Sequence, residues 1–276
     1  MGLQDKLTLV GRSDVGLRRD HNEDSIAFDP NLGLAVLADG MGGYKAGEVA
    51  SAIAVNVVME EVRNSLRQDV PEALDRESGY CRGSLFVREA VTKANDAIYT
   101  TAQAQPQCQG MGTTIVVALF YNDRITIAHV GDSRLYRLRG GQLEQLTVDH
   151  SLLQELIEKG FYTKEEARSS NQKNLVTRAM GVEAEVETSL QEEPVETDDI
   201  YLLCSDGLSD LVSDEDIHLT LEEYSANLDQ AADALIQKAN RSGGSDNVSV
   251  LLVKPTEPFP ARVGSTWYSK VINWFN

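Results

Sequence analysis

Residues 113–130 read TTIVVALFYNDRITIAHV, two apolar runs joined by a short polar turn. β-Branched residues are frequent in both runs, and such residues favour strands over helices. The Asn122–Asp123 pair between the runs is typical of a tight β-hairpin connection. A second hairpin is predicted directly downstream, from runs at 135–138 and 143–146 around a glycine pair. We therefore interpret residues 113–146 as an antiparallel meander and not as a parallel βαβ unit.

Other apolar segments extend the prediction to the rest of the chain. Short apolar runs predict buried strands at 32–38, 200–204 and 248–253. Apolar stripes along one face predict amphipathic helices at 46–62, 84–99 and 231–239. Hairpins together with one-sided helices indicate sheets that pack on each other with helices outside. The predicted fold class is therefore α+β, a central antiparallel β-sandwich flanked by α-helices on both sides.

No change in composition divides the chain into two parts. We expect a single domain over residues 1–254, followed by a short proline-containing tail over 255–276. In the tail, Trp267, Val271 and Trp274 fall at helical spacing. This spacing is typical of a partner-binding or interfacial helix, and equally of a helix that docks back onto the domain.

The charge balance excludes some classes of partner. Lysine and arginine number 25 against 43 aspartates and glutamates, which gives a formal net charge of −18. A surface this acidic repels nucleic acid and anionic membranes, so we expect neither as a partner. Hard cations, in contrast, bind carboxylates. We interpret most of the charge as a solvated acidic surface and part of it as a metal site.

The cysteines and the apolar segments indicate a compartment. Cys81, Cys108 and Cys204 are odd in number and form no CxxC pair, which excludes a disulfide framework or a zinc ribbon. Residues 1–12 lack the long apolar run of a secretory signal. No stretch approaches the roughly 20 apolar residues that span a bilayer. We expect a cytoplasmic protein without a membrane span.

Aspartates beside glycine or serine stand at the ends of four predicted strands: Asp39, Asp132, Asp206 and Asp246. Because strand ends of a sandwich converge at one edge, several of these carboxylates are expected to meet. Crowded, partly buried anions need a counter-charge, and oxygen-only ligands favour Mg²⁺ or Mn²⁺ over zinc. A single Asp-Gly pair is more often a turn than a ligand. The hypothesis therefore depends on the four residues together.

Arg19 is the candidate phosphate-binding residue. It lies in the stretch 18–24, RRDHNED, close to two further carboxylates. A guanidinium group forks onto phosphate oxygens with two hydrogen bonds. Alone, this stretch is typical of a charged loop. Together with the four aspartates it becomes a candidate anion clamp.

Arg19 and six motifs follow one another in a fixed order. The motifs are NED at 22–24, ADGMGG at 38–43, GTT at 112–114, VGDSR at 130–134, LCSDGL at 203–208 and GSDN at 244–247. Minor blocks are TVDHS at 147–151 and VTRAMG at 176–181. This series resembles the type 2C (PPM) metal-dependent Ser/Thr protein phosphatases in their compact bacterial form. Each motif alone is weak, whereas the ordered series is highly specific.

The resemblance implies hydrolysis of phosphoserine and phosphothreonine in proteins at two tightly bound Mn²⁺ or Mg²⁺ ions. By position, Asp39 would bridge the two ions and the Gly40 carbonyl would bind one of them. Asp206 and Asp246 would bind the other. In bacterial members a third ion can sit between Asp132 and Asp206.

The resemblance also implies supporting roles. Glu23 and Asp24 would hold metal-bound waters, and Asn247 would support the ligands. Arg19 would bind the substrate phosphate while an activated water attacks phosphorus in line. The segment from Ser151 to Asn174 corresponds to the flap of the family, which shapes substrate access.

Two positions depart from common patterns of the family. Met41 stands where eukaryotic members carry a histidine proposed as general acid, and Tyr44 stands where many bacterial members carry histidine. The implied enzyme is a monomeric signalling phosphatase that acts on phosphorylated proteins and opposes Ser/Thr kinases. Two alternatives stay open, a small-molecule phosphomonoesterase and a pseudophosphatase that binds without catalysis. The intact aspartate set disfavours the pseudophosphatase, because clustered charge is costly without a role.

Overall fold

The structure is a computed structural model that describes residues 5–43, 46–163, 166 and 175–258. Tyr44 and the helical spacing of the tail lie outside the described residues. Within those described ranges, no helix is long and apolar enough to cross a membrane.

Two antiparallel sheets form the centre of the fold. The five strands of the first sheet neighbour one another in the order β1 (Leu7–Asp14), β11 (Val248–Pro255), β10 (Ile200–Cys204), β7 (Arg134–Arg139) and β8 (Gln142–Gln145). The second sheet has the order β2 (Asp24–Asp29), β3 (Leu34–Met41), β5 (Ile115–Tyr121), β6 (Arg124–Val130) and β9 (Ser189–Pro194), and β4 (Gly112–Thr113) pairs with β3.

Helices cover the outer faces of both sheets. The α-helices are numbered in chain order as α1 (Ala46–Gln68), α2 (Arg82–Ala104), α3 (Leu152–Glu158), α4 (Asp206–Ser209), α5 (Asp214–Glu223) and α6 (Leu228–Arg241), and the outer faces are covered by α1, α2, α5 and α6. The long helices α1 and α2 share one apolar core with the second sheet. Helices α5 and α6 share another core with the first sheet. The chain therefore forms the predicted αββα layers.

A third apolar core lies between the two sheets. Strand β3 shows how the layers are built, because its side chains alternate between the two faces. Leu37 points into the core between the sheets, whereas Val36 and Ala38 belong to the core beneath α1 and α2. Leu203 and Leu251 close the inter-sheet core from the first sheet. A central strand buried on both faces is apolar throughout, which explains the continuous apolar runs in the sequence.

The predicted meander over 113–146 is wrong in one respect. Both hairpins form, β5 with β6 and β7 with β8, but they belong to different sheets. The chain crosses from the second sheet to the first between Val130 and Arg134. Gly131 makes this crossing with a φ of 105°, and a Cβ there would lie 2.6 Å from the Thr114 side chain. The crossing places Asp132 at the end of the sandwich.

The other predicted elements form, most of them with shifted boundaries. Strands β6 and β10 match their predicted residues, while α1 and α2 are longer than their apolar stripes. Strands β1, β2 and β9 and helix α5 were not predicted. Strand β9 shows why, since its sequence SLQEEP is polar and none of its residues is fully buried. Hydrogen bonds to β6 hold it in the sheet, so its sequence carries no strand signal.

Candidate metal centre

Asp39 lies inside β3, not after it as predicted. Strand β3 continues to Met41 because Asp24 pairs opposite Asp39 on one side and β4 pairs with Gly40 and Met41 on the other. The backbone of Asp39 is fixed on both sides. Its amide donates to Thr114 Oγ1 at 3.1 Å, and its carbonyl accepts from the Thr114 amide at 2.9 Å. The carboxylate therefore projects from a rigid strand.

Asp206 and Asp246 come from two adjacent segments of the first sheet. Asp206 follows β10 and begins α4, with Ser205 before it. Asp246 precedes β11, and its Oδ1 accepts from the Asn247 amide at 2.8 Å. The two segments are in contact, since a Cβ on Gly207 would lie 2.0 Å from the Asn247 carbonyl oxygen. Glycine at 207 thus permits the two aspartates to approach each other.

Five aspartates form what we call the carboxylate cluster: Asp24, Asp39, Asp132, Asp206 and Asp246. Burial raises the pKa of Asp39 well above its usual range, and the other four carboxylates add to the rise. Burial likewise raises the pKa of Asp206, again with contributions from neighbouring aspartates. It raises the pKa values of Asp24 and Asp132 to about 6. The cluster therefore combines partial desolvation with like-charge repulsion.

The oxygen atoms of this cluster fit a hard cation. Asp24 Oδ1 and Asp206 Oδ1 are buried without a hydrogen-bond partner, and each such atom destabilises the fold unless something compensates it. In the described ranges, no three His, Cys, Asp or Glu side chains are arranged to hold a metal ion by themselves. Mg²⁺ commonly binds through one or two carboxylates and keeps several waters. The donor set fits such a partly hydrated ion better than zinc, which is typically held by several nitrogen or sulfur ligands.

Gly40 and Glu23 lie next to each other at this centre. The Gly40 amide donates to the Glu23 carbonyl at 3.1 Å. A Cβ on Gly47 would lie 2.9 Å from both the Gly40 carbonyl oxygen and the Glu23 carboxyl carbon. The start of α1 therefore packs tightly against both groups, and the Gly40 carbonyl and the Glu23 carboxylate lie close together.

Arg19 and Asn247 connect the N-terminal loop to the cluster. Arg19 is exposed and donates from Nη2 to Asp246 Oδ2 at 2.7 Å. Asn247 donates to the carbonyls of Val15 and His21, both at 3.0 Å, and accepts from the Glu23 amide at 2.8 Å. Asn247 thus fixes the loop that carries Arg19, although it contributes no charge.

The flap predicted for 151–174 is described only in part, because 164–165 and 167–174 lie outside the described residues. Its first portion is α3, where the Ser151 side chain accepts from the Gln154 amide. A β-bridge joins Ser151 to Val176, so both ends of the flap meet. A cavity of about 450 Å³ lies between α3 and the start of α5, and Asp132 and Asp206 line its wall. The flap therefore borders the carboxylate cluster.

Several supporting residues were not singled out by the sequence reasoning. Ser205 donates to Asp24 Oδ2 at 2.9 Å and accepts from the Ser249 amide at 3.0 Å. Arg134 forks onto Asp149 with contacts of 2.7 to 3.1 Å. The sequence does mark this pair, since Arg134 lies in the motif at 130–134 and Asp149 in the block at 147–151.

Cys204 is fully buried in β10, as predicted for a strand interior.

Comparison with known proteins adds to this geometry. A family model for protein phosphatase 2C matches residues 17–240. The serine/threonine phosphatase stp of Listeria welshimeri is 38% identical over 246 residues, 88% of this chain and 94% of the relative. PstP of Mycobacterium tuberculosis, a serine/threonine protein phosphatase, is 40% identical over 89% of this chain and 44% of the relative.

Solved structures agree with the sequence relatives. The crystal structure of M. tuberculosis PstP/Ppp superposes with a TM-score of 0.81 at 39% identity, covering 91% of this chain and all of the other. A structure of the PstP catalytic domain in complex with two manganese ions gives a TM-score of 0.77 at 38% identity, covering 91% and 99% of the two chains.

Proposed function

This chain belongs to the protein phosphatase 2C family, and from that premise we propose that its carboxylate cluster holds the divalent cations with which it hydrolyses phosphoserine and phosphothreonine in proteins. The observation that carries the proposal is the convergence of five aspartates, two of which have a buried oxygen without a partner. The relative that binds two manganese ions supports Mn²⁺ or Mg²⁺ as the cofactor.

Each residue of the cluster has a distinct task in this proposal. Asp39 and the Gly40 carbonyl would hold one cation, and Asp39, Asp206 and Asp246 would hold the other. Asp132 and Asp206 would hold a third cation. When bound, the cations lower the pKa of a water and neutralise charge on the phosphoryl oxygens.

The remaining groups position and support. Ser205 and the backbone pairing of Asp24 with Asp39 keep Asp24 facing the cluster, where it orients water together with Glu23. Thr114 hydrogen-bonds both the amide and the carbonyl of Asp39 and so fixes its backbone. Because these elements are strands and strand ends, the ligands are held before substrate arrives.

We expect Arg19→Ala to impair substrate binding. Arg19 is exposed beside Asp246 and can reach a phosphate in the open mouth of the centre. A hydrogen bond to a charged group contributes about 1.5–3 kcal/mol, so the KM for a small aryl phosphate should rise about tenfold or more. Arg19→Lys should recover only part of the loss, because an ammonium lacks the planar fork. An unchanged KM in both variants would show that Arg19 does not bind the substrate phosphate.

The proposal is tested by activity before and after chelation. Hydrolysis of a phosphothreonine peptide should stop when the divalent cations are removed and return with Mn²⁺. Thiol alkylation of the folded protein should leave the activity unchanged, since all three cysteines are buried. Activity that survives exhaustive chelation contradicts the metal mechanism. Turnover of small phosphates but not of phosphopeptides would favour a small-molecule phosphomonoesterase, and binding without turnover would favour a pseudophosphatase.

We also propose phosphorylated proteins as partners, a monomeric state and a cytoplasmic location. Cys108 and Cys204 are buried thiols outside any disulfide, which supports a reducing compartment. The acidic balance of the chain supports a partner that is neither nucleic acid nor anionic lipid.

A further inference from the structure

His150 and Gly131 form a reciprocal pair of hydrogen bonds. The His150 amide donates to the Gly131 carbonyl at 2.9 Å. The Gly131 amide in turn donates to Nδ1 of the His150 ring at 3.1 Å. The His150 ring nitrogen thus takes the place of the backbone carbonyl that would accept the second hydrogen bond in a pair of β-strands. Gly131 directly precedes Asp132, so this pairing fixes the peptide from which the Asp132 side chain departs.

The ring of His150 is held on its remaining sides. Because Nδ1 accepts from an amide, the neutral ring carries its proton on Nε2, which donates to Ser189 Oγ at 2.9 Å. The His129 ring stacks on it with centroids 4.6 Å apart and planes 17° apart. Burial, with a smaller contribution from the positive charge of Arg178, whose Nη1 lies 3.3 Å from Nε2, lowers the pKa of His150 to about 3. The ring therefore has one orientation, with Nδ1 toward Gly131.

The same residue reaches both ends of the flap. The chain enters the flap at Ser151, directly after His150, and a β-bridge joins Ser151 to Val176 on the return. The Thr177 amide donates to the His150 carbonyl at 2.8 Å. His150 thus joins the crossing at Gly131 to both ends of the flap.

We infer that His150 is a positioning residue that aims Asp132 and joins the Asp132 site to the flap. This inference rests on the proposed role of Asp132 as a metal ligand. His150 itself binds neither metal nor substrate. Its action is to hold the Gly131 peptide, whose left-handed conformation has little freedom beside Thr114. A partner that orients a ligand typically contributes about 10–100-fold to metal affinity.

The test compares two amide substitutions. His150→Asn places an amide oxygen on Cγ, where Nδ1 stands, and retains an acceptor for the Gly131 amide. His150→Gln places the side-chain amide one atom further out, so the backbone amide of Gly131 loses its acceptor. We expect the Mn²⁺ concentration for half-maximal hydrolysis of a small aryl phosphate to rise about tenfold in His150→Gln and much less in His150→Asn. Calorimetric titration of the chelated proteins with Mn²⁺ should show the same order.

A double-mutant cycle separates positioning from general destabilisation. If His150 acts through Asp132, His150→Gln should not raise the Mn²⁺ requirement further in an Asp132→Asn background. Equal Mn²⁺ requirements in the Asn and Gln variants, or a full additional loss in the double mutant, overturn the inference. If His150→Gln does not fold, Ser189→Ala should raise the requirement in the same direction, and no change there overturns the inference.

The cycle also distinguishes the inference from its premise. An Asp132→Asn protein that binds Mn²⁺ like the parent removes Asp132 from the metal site and overturns the inference with it. The proposed phosphatase activity would still stand, because it depends on Asp39, Asp206 and Asp246. If the parent protein stays active after chelation, the proposed function itself is contradicted.

Discussion

Asp39→Asn should lower kcat/KM by more than about 100-fold, because even a group that only supports a metal ligand contributes about 10–100-fold to affinity or activity. Asn has nearly the same shape as Asp but lacks the charge that attracts two cations. In the chelated protein, however, the substitution removes one of several repelling carboxylates, and burial together with this repulsion raises the pKa of Asp39. The chelated variant should therefore be no less stable than the chelated parent.

The two effects are measured separately. Steady-state hydrolysis of a small aryl phosphate at saturating Mn²⁺ gives the activity, and urea unfolding after chelation gives the stability. Asp229→Asn is the matched control, because Asp229 is exposed and pairs with Arg12 on the surface. It should keep full activity and change stability by less than about 1 kcal/mol. An active Asp39→Asn enzyme would refute the proposed centre.

The stabilisation that Mn²⁺ gives to the protein should grow as the pH rises from about 5 to about 7.5. Asp24 and Asp132 have pKa values of about 6 in the folded chain, above the usual value of an unfolded aspartate near 4. A carboxyl with a raised folded pKa stabilises the fold while it is protonated. That contribution is lost as the pH rises through the folded pKa, on the order of 2–3 kcal/mol for each group.

Added cations oppose this loss, because they favour the ionised carboxylates and neutralise their repulsion. The measurement is the difference in melting temperature between the Mn²⁺-loaded and the chelated protein at each pH. Taking the difference cancels the pH dependence that comes from carboxylates far from the cluster. Asp29 is one of these: burial raises its pKa, but hydrogen bonds from Asn31 and Arg63 outweigh burial and lower it. A difference independent of pH, or one that shrinks toward pH 7.5, would contradict a carboxylate metal centre.

Strands buried on both faces were predictable because their signal is local. Residues 115–121 and 200–204 have the continuous apolar character that only a doubly covered strand needs. The amphipathic helices carry their own periodic signal in the same way. Strands β1 and β9 lack such a signal, because hydrogen bonds to distant strands hold half-polar sequences in place. The crossing of the meander was missed for the same reason, since which sheet a hairpin joins is decided by its neighbours.

The candidate site divides in a similar way. The sequence alone pointed to Asp39, Asp132, Asp206 and Asp246, because each follows or precedes an apolar run beside small residues. The structure adds the mutual repulsion of these carboxylates, the buried Asp206 oxygen without a hydrogen-bond partner and the pairing of Asp24 with Asp39. It also pairs Arg19 with Asp246, a contact across 227 positions that no local pattern contains.

The sequence by itself determined the layered α+β fold, the acidic balance and the residue types that can hold a hard cation. These properties follow from composition and periodicity, which are readable one segment at a time. Only the tertiary structure decided that Ser205 supports Asp24, that Arg134 binds Asp149 and that His150 holds the peptide before Asp132. Such hydrogen bonds join residues that are distant in the chain, and their geometry exists only after the two sheets have packed.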